Sequence, residues 1–100
     1  MKIKAGANIQ GLDIKMRSVL IAADKIWKSL GRELVITAGL DGEHSAGSLH
    51  YYGLAVDMRT RYFSESEKQT AAKRLREVLG CGFDIVLHST HIHVEYNIER

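Results

Sequence analysis

Several features that are common in proteins are missing from this chain of 100 residues, and each absence narrows its class. The chain has no proline and only one cysteine, Cys81, which excludes a proline-rich linker and an internal disulfide. No apolar run approaches the roughly 20 residues that a membrane-spanning helix needs, and the first residues lack the apolar core of a signal peptide. We therefore expect a chain that is cytoplasmic as synthesised, without stable membrane insertion.

Net charge bears on the class of partner, and length with apolar content bears on the number of domains. The chain carries 14 Lys and Arg against 12 Asp and Glu, a formal net charge of +2, and its basic residues are scattered along the sequence. Scattered charge of this size does not predict a nucleic-acid groove. An apolar content of 45% in 100 residues is sufficient for one hydrophobic core and not for two. We predict a single domain over residues 1–100 that is a monomer.

Hydrophobic periodicity predicts two helices. Apolar residues recur at helical spacing over residues 13–30, and Gly31 follows as a stop signal. Ser64 and Glu67 form the signature of a capping box, which predicts the start of a second helix that reaches residue 79. The two helices account for about a third of the chain.

Short apolar segments between the helices and after them are typical of strands. They cover residues 34–37, 53–58, 83–87 and 91–96, and residues 88–90 read as the three-residue loop of a hairpin. The glycine-rich segment 39–47 is expected to be irregular. The order of elements predicts an α+β domain in which two helices pack on a small antiparallel sheet.

Two segments carry metal-binding chemistry. Zinc in a catalytic site takes three protein ligands from His, Asp, Glu and Cys and keeps a fourth position for water. His50, Asp57 and His93 make up such a set. Alternate residues of a strand share a face, so an extended segment 91–96 places His91, His93 and Glu95 together.

These residues also carry a resemblance to a known family. The pattern Ser48-x-His50-x-x-Gly53-x-Ala55-x-Asp57, followed by His91-x-His93, resembles the zinc peptidases of the D-alanyl-D-alanine carboxypeptidase group, peptidase family M15. That group includes L-alanyl-D-glutamate endopeptidases and phage endolysins that cut peptidoglycan stem peptides. It shares its fold and zinc site with the Hedgehog signalling domain. The resemblance covers residues 34–96 and implies a Hedgehog/DD-peptidase-like fold with a mononuclear zinc site.

The resemblance implies a role for each matching residue. One Zn²⁺ ion is expected to be held by His50, Asp57 and His93, which leaves His91 as a neighbour of the substrate. The residues expected to bind substrate are Ser48, Tyr51 and Tyr52, with contacts inside the loop or simple packing as the alternatives.

The chain departs from the family pattern at two positions. The acidic general base usually lies three residues before the last ligand, where this chain has Thr90, and an arginine that assists many members is replaced by Asp41. A general base typically contributes about 100- to 10,000-fold to the rate. We expect His91 to act as the catalytic base, because the strand itself positions the imidazole. Other acids and bases near the motifs are Glu43, His44, Asp84, His88 and Glu95.

The expected function is that of a zinc metallopeptidase acting on an amide bond of a peptidoglycan stem peptide, as carboxypeptidase or endopeptidase, through water activated by zinc. It would reach the cell wall after release, in a phage or prophage context. The first alternative is a zinc-binding domain with little or no activity that binds the cell wall or a protein partner. The second is a metal-free structural protein in which the histidines are coincidental.

Overall fold

Two helices pack on one face of a five-stranded sheet. Apolar residues at helical and strand spacing form the contact between them. The computed structural model describes residues 1–39 and 53–97. In that part of the chain the elements are β1 (Lys2–Ile3), α1 (Arg17–Ser29), β2 (Val35–Ala38), β3 (Ala55–Arg59), α2 (Glu65–Leu79), β4 (Phe83–Leu87) and β5 (His91–Tyr96). None of the described helices is long and apolar enough to cross a membrane.

The prediction of an α+β domain with two helices is confirmed, whereas the sheet is mixed and not antiparallel as predicted. Its strand order is β1-β2-β3-β5-β4, and β1 lies parallel to β2 while the other three pairs are antiparallel. The sequence did not reveal β1, because two residues are too few to show the alternation that marks a strand. Its place is fixed by backbone hydrogen bonds such as Lys2 N–H to the Leu34 carbonyl, at 2.7 Å.

The first helix begins later than its periodicity predicts. Residues Ile14–Met16 form a 3-10 turn, and the α-helix itself begins at Arg17. Asp13 caps the turn, because its Oδ1 accepts a hydrogen bond from the backbone N–H of Lys15 at 2.9 Å. The apolar pattern therefore spans both kinds of helix, whose difference in pitch it cannot resolve.

The capping box of the second helix is confirmed. Ser64 Oγ accepts from the backbone N–H of Glu67 at 3.2 Å, and Glu67 Oε1 accepts from the backbone N–H of Ser64 at 2.8 Å. The hydrogen bond from the backbone N–H of Ser64 lowers the pKa of the Glu67 carboxyl group, because it favours the charged form. The helix is thus fixed at the end that follows β3 in the chain.

Both helices pack on the face of the sheet that carries the alternating apolar residues. The fully buried residues there include Ile36, Met58, Ile92, Val94 and Trp27. Trp27 also donates a hydrogen bond from Nε1 to the carbonyl of Arg59 at 3.0 Å. This core therefore holds the end of β3, and the opposite face of the sheet, here called the site face, carries the polar residues of β3 and β5.

Gly53 occupies a position that requires glycine. Its φ is +72°, and a Cβ atom there would lie 2.6 Å from the carbonyl oxygen of Gly11. The segment before α1 is bound at the same point, where the N–H of Asp13 donates to the carbonyl of Gly53 at 2.8 Å. The glycine of the first motif thus admits another part of the backbone just before β3 begins.

Loss of the cap is expected to weaken α2. Replacement Ser64→Ala removes the acceptor for the N–H of Glu67 and should lower the free energy of unfolding by about 1 kcal/mol. Urea denaturation followed by circular dichroism measures the change. Ser89→Ala, an exposed serine in the hairpin loop, is the matched control. Equal stability of the two variants would contradict a stabilising cap.

Candidate functional site

The pairing of β3 with β5 assembles the candidate site. Asp57 lies opposite His93, and Arg59 lies opposite His91. In β5 the residues Ile92 and Val94 are buried in the core, so their neighbours at alternate positions point to the site face. The strand predicted over residues 91–96 is confirmed, and so is the three-residue loop that precedes it.

A chain of three side chains forms the centre of the site. His93 Nδ1 lies 2.7 Å from Asp57 Oδ1, and His93 Nε2 lies 2.8 Å from Glu95 Oε1. The side chains of His93 and Asp57 are each 18% exposed, which leaves an opening to solvent. Both nitrogens of the imidazole are therefore oriented by carboxylates at a partly buried position.

Asp57 dominates the electrostatics of His93. Its hydrogen bond raises the pKa of His93 above the usual 6.5, Glu95 raises this pKa further, and burial opposes both. A carboxylate only accepts hydrogen bonds, so both ring nitrogens can donate only when the imidazole is protonated. Without a metal ion, the site therefore favours a positive charge on His93.

His91 lies at the rim of this group. Its Nε2 is 4.0 Å from Asp57 Oδ2, and its side chain is 31% exposed. Thr90 Oγ1 lies 3.3 Å from His91 Nδ1, and the ring of His88 stacks on that of His91 with centroids 4.6 Å apart. Nε2 of His91 thus faces the carboxylate of Asp57. Nδ1 contacts Thr90, the residue at the position where the family usually has an acid.

Part of the predicted site lies outside the described residues. This applies to the ligand His50 and to the residues expected to bind substrate, Ser48, Tyr51 and Tyr52. Within residues 1–39 and 53–97 there is no group of three or more His, Cys, Asp or Glu side chains arranged to hold a metal ion. The structure brings together two of the three predicted ligands, Asp57 and His93, and places His91 beside them.

These two residues fit a zinc ion in chemical type. Imidazole nitrogen and carboxylate oxygen are both ordinary zinc ligands. Nδ1 of His93 faces Asp57, so it is the nitrogen that would share an ion with that carboxylate. The other nitrogen faces Glu95, and metal-binding histidines usually donate their second N–H to a carboxylate or carbonyl in this way.

The sequence did not reveal the roles of two residues on the site face. Glu95 was considered only as a possible base, and Arg59 was not considered. The alternation in β5 placed Glu95 on the correct face, but its contact with His93 follows from the rotamer of the ring, which spacing does not reveal. Arg59 is two residues beyond Asp57 and so shares its face. That spacing was a signal that could have identified it.

Comparisons with known proteins indicate the family. A family model, the Hedgehog amino-terminal signalling domain, matches residues 9–97. Over 87 residues the chain is 33% identical to the Indian hedgehog B protein of Danio rerio, 31% to the Indian hedgehog protein of Gallus gallus and 32% to the Sonic hedgehog protein of Danio rerio. Each alignment covers 85% of this chain and 20% of the relative, so the chain spans about a fifth of their length.

The identification as a member of peptidase family M15 is therefore wrong. The matching model and the relatives are hedgehog proteins, to which that peptidase group is related only distantly. The relatives are named as hedgehog proteins and not as peptidoglycan-acting metallopeptidases, carboxypeptidases or endolysins. The resemblance to the peptidases rested on short motifs, whereas the family model matches residues 9–97.

Titration of the metal-free protein tests the contact between Asp57 and His93. Because folding raises the pKa of His93, its contribution to stability is complete below pH 6.5 and is lost as the pH rises through the higher pKa of the folded state. Asp57→Asn should lower the pKa of His93 more than Glu95→Gln does. NMR titration of the ring in the presence of a chelator measures both. A pKa of 6.5 or below in the unmodified protein would contradict the contact.

Proposed function

Because this chain belongs to the family of Hedgehog amino-terminal signalling domains, we propose that it is a zinc-binding domain that hydrolyses an amide bond of a peptide. The observation that carries the proposal is the chain of contacts from Asp57 through His93 to Glu95, with His91 at its rim. A peptidoglycan stem peptide, the partner expected from the sequence, is one such peptide, and its role stays a prediction.

Two described residues would hold the ion, together with one from the sequence motif. Asp57 offers a carboxylate oxygen and His93 offers Nδ1, while His50 is the third ligand that the motif predicts. Glu95 would fix the tautomer of His93, because a ring that donates from Nε2 presents the lone pair of Nδ1 to the ion. Zinc in such a site polarises a carbonyl group and lowers the pKa of water to about 7.

His91 is the residue proposed to accept the proton from the attacking water. Its Nε2 points towards the Asp57 carboxylate, and its partial exposure leaves access for water and substrate. The Thr90 hydroxyl at Nδ1 fixes the ring orientation. An imidazole is suited to this step because its ordinary pKa lies close to neutral pH.

The second candidate is a zinc-binding domain that binds a partner without hydrolysis. It is favoured by Thr90, whose hydroxyl cannot act as the carboxylate base usual in the related peptidases, and by the matching family model, which describes a signalling domain. In that case the ion would serve to join His50 to the residues of β3 and β5. The two candidates share the metal site and differ only in turnover.

Metal content and turnover together test the proposal. We expect the purified protein to retain one zinc per chain in native mass spectrometry and His93→Ala to lose it. Zinc-loaded protein is then incubated with a peptide library and with purified peptidoglycan sacculi, and new amino termini are identified by mass spectrometry. Chelator-treated protein and His93→Ala are the controls.

Two of the outcomes distinguish the candidate functions, and a third contradicts both of them. Cleavage that disappears in both controls and falls at least about 100-fold in His91→Ala supports the hydrolase and the role of His91. Bound zinc without cleavage, with activity appearing in Thr90→Glu, supports the silent domain. Absence of zinc binding contradicts both.

Glu95 is expected to strengthen zinc binding through His93. Glu95→Gln should weaken the affinity about 10- to 100-fold, the usual effect of losing the carboxylate behind a ligating histidine. Competition with a chromophoric chelator measures the affinity, and ring nitrogen shifts report the tautomer of His93. Glu77→Gln, the same change at an exposed position of α2, is the control. Equal affinities and an unchanged tautomer would exclude this role.

A further inference from the structure

A basic cleft lies on the β1 side of the sheet and includes Arg59, the residue paired with His91. Its volume is about 420 Å³, and its charged residues are the cations Lys2, Lys4, Arg32 and Arg59 and one carboxylate, Glu33. Within the described part of the chain, none of these four cations forms an ion pair with a carboxylate. The cleft therefore presents an excess of positive charge to a ligand.

One row of residues connects the basic cleft to the site. Lys2 is paired with Val35 in the sheet, and Arg59 is paired with His91. Because Ile36 is paired with Met58, their neighbours Val35 and Arg59 are adjacent on the opposite face. The row from Lys2 to His91 crosses three strand spacings, roughly 14 Å. An extended peptide of about four residues spans that distance.

Two arginines line the cleft together with Tyr62. Cζ of Arg32 lies 5.6 Å from the centre of the Tyr62 ring, and Tyr62 Oη donates to the carbonyl of Glu33 at 2.6 Å. Burial raises the pKa of the Tyr62 phenol, and a hydrogen bond with Trp27 and the charges of Arg59 and Arg32 oppose this. Trp27 holds the backbone of Arg59 from the core side.

We propose that the basic cleft binds a carboxylate of an acidic peptide whose chain continues along the sheet to the metal pair. Arg32 and Arg59 are the receiving groups, because a guanidinium can bind both oxygens of a carboxylate, and Lys2 and Lys4 add longer-range attraction. The inference rests on the proposed function, since it names the class of peptide that would reach the site. An acidic residue a few positions from the amide bond at the metal satisfies the geometry.

Peptide binding to the metal-free protein tests the cleft separately from the metal. An acetylated tetrapeptide with glutamate at its end is compared with its glutamine, carboxy-amidated analogue by NMR titration in a chelating buffer. We expect the acidic peptide to bind at least roughly fivefold more tightly, with the largest shifts at Lys2, Arg59 and Tyr62. Arg59→Gln and Arg32→Gln should each weaken the binding severalfold. Lys73→Gln, the same loss of charge on an exposed turn of α2, should leave it unchanged.

Equal binding of the acidic and amidated peptides would overturn the proposal, as would equal binding by Lys73→Gln and both arginine variants. Circular dichroism checks the fold of each variant, and either arginine variant alone is sufficient for the comparison. If the acidic peptide binds but zinc does not, the proposed function fails and the cleft stands. If zinc binds and peptides are cleaved without any preference for acidic ones, the cleft assignment fails and the function stands.

Discussion

The antiparallel register between β3 and β5 is the constraint on which the candidate site depends. It places Asp57 opposite His93 and Arg59 opposite His91. A slip of one residue would turn every side chain of one strand to the other face, so the metal pair would be separated and the core would expose apolar residues. The buried residues Val56, Met58, Ile92 and Val94 prevent that slip. The buried residues on one face of the sheet thus fix the register, and the register determines which polar side chains lie opposite each other on the other face.

The two carboxylates that contact His93 favour a positive charge at its imidazole. Two carboxylates approach one imidazole at a partly buried position, and charges taken out of water need compensation. A proton on His93 supplies it in the metal-free state, and a divalent cation would supply more of it. The proton and the metal therefore compete for the same nitrogen, so metal binding would release the proton, as at other sites with histidine ligands. The acidic surroundings that raise the pKa also attract the ion that replaces the proton.

Local signals in the sequence were sufficient for most elements but not for the sheet. The capping residues Ser64 and Glu67 identified α2, and alternation identified β5 with its two faces. The strand β1 was not predictable, because its two residues carry no period and its partner lies more than 30 positions away. The same limit applies to the site. Two separate motifs identified Asp57 and His93 as candidate ligands, but the contact of Glu95 depends on a rotamer and the position of Arg59 beside His91 depends on register.

The site face therefore carries opposite charges close together, and β3 contributes to both parts through Asp57 and Arg59. Asp57 and Glu95 make one part acidic around His93, while Arg59 lies in the basic cleft next to His91. Because such a surface carries both signs of charge, the binding of a single cation or a single anion does not account for the arrangement of its charges. If the proposals hold, it would be complementary to a metal ion and to a ligand with a carboxylate at a fixed distance from the group that meets the ion. Specificity would then come from that distance, which the strand spacing sets.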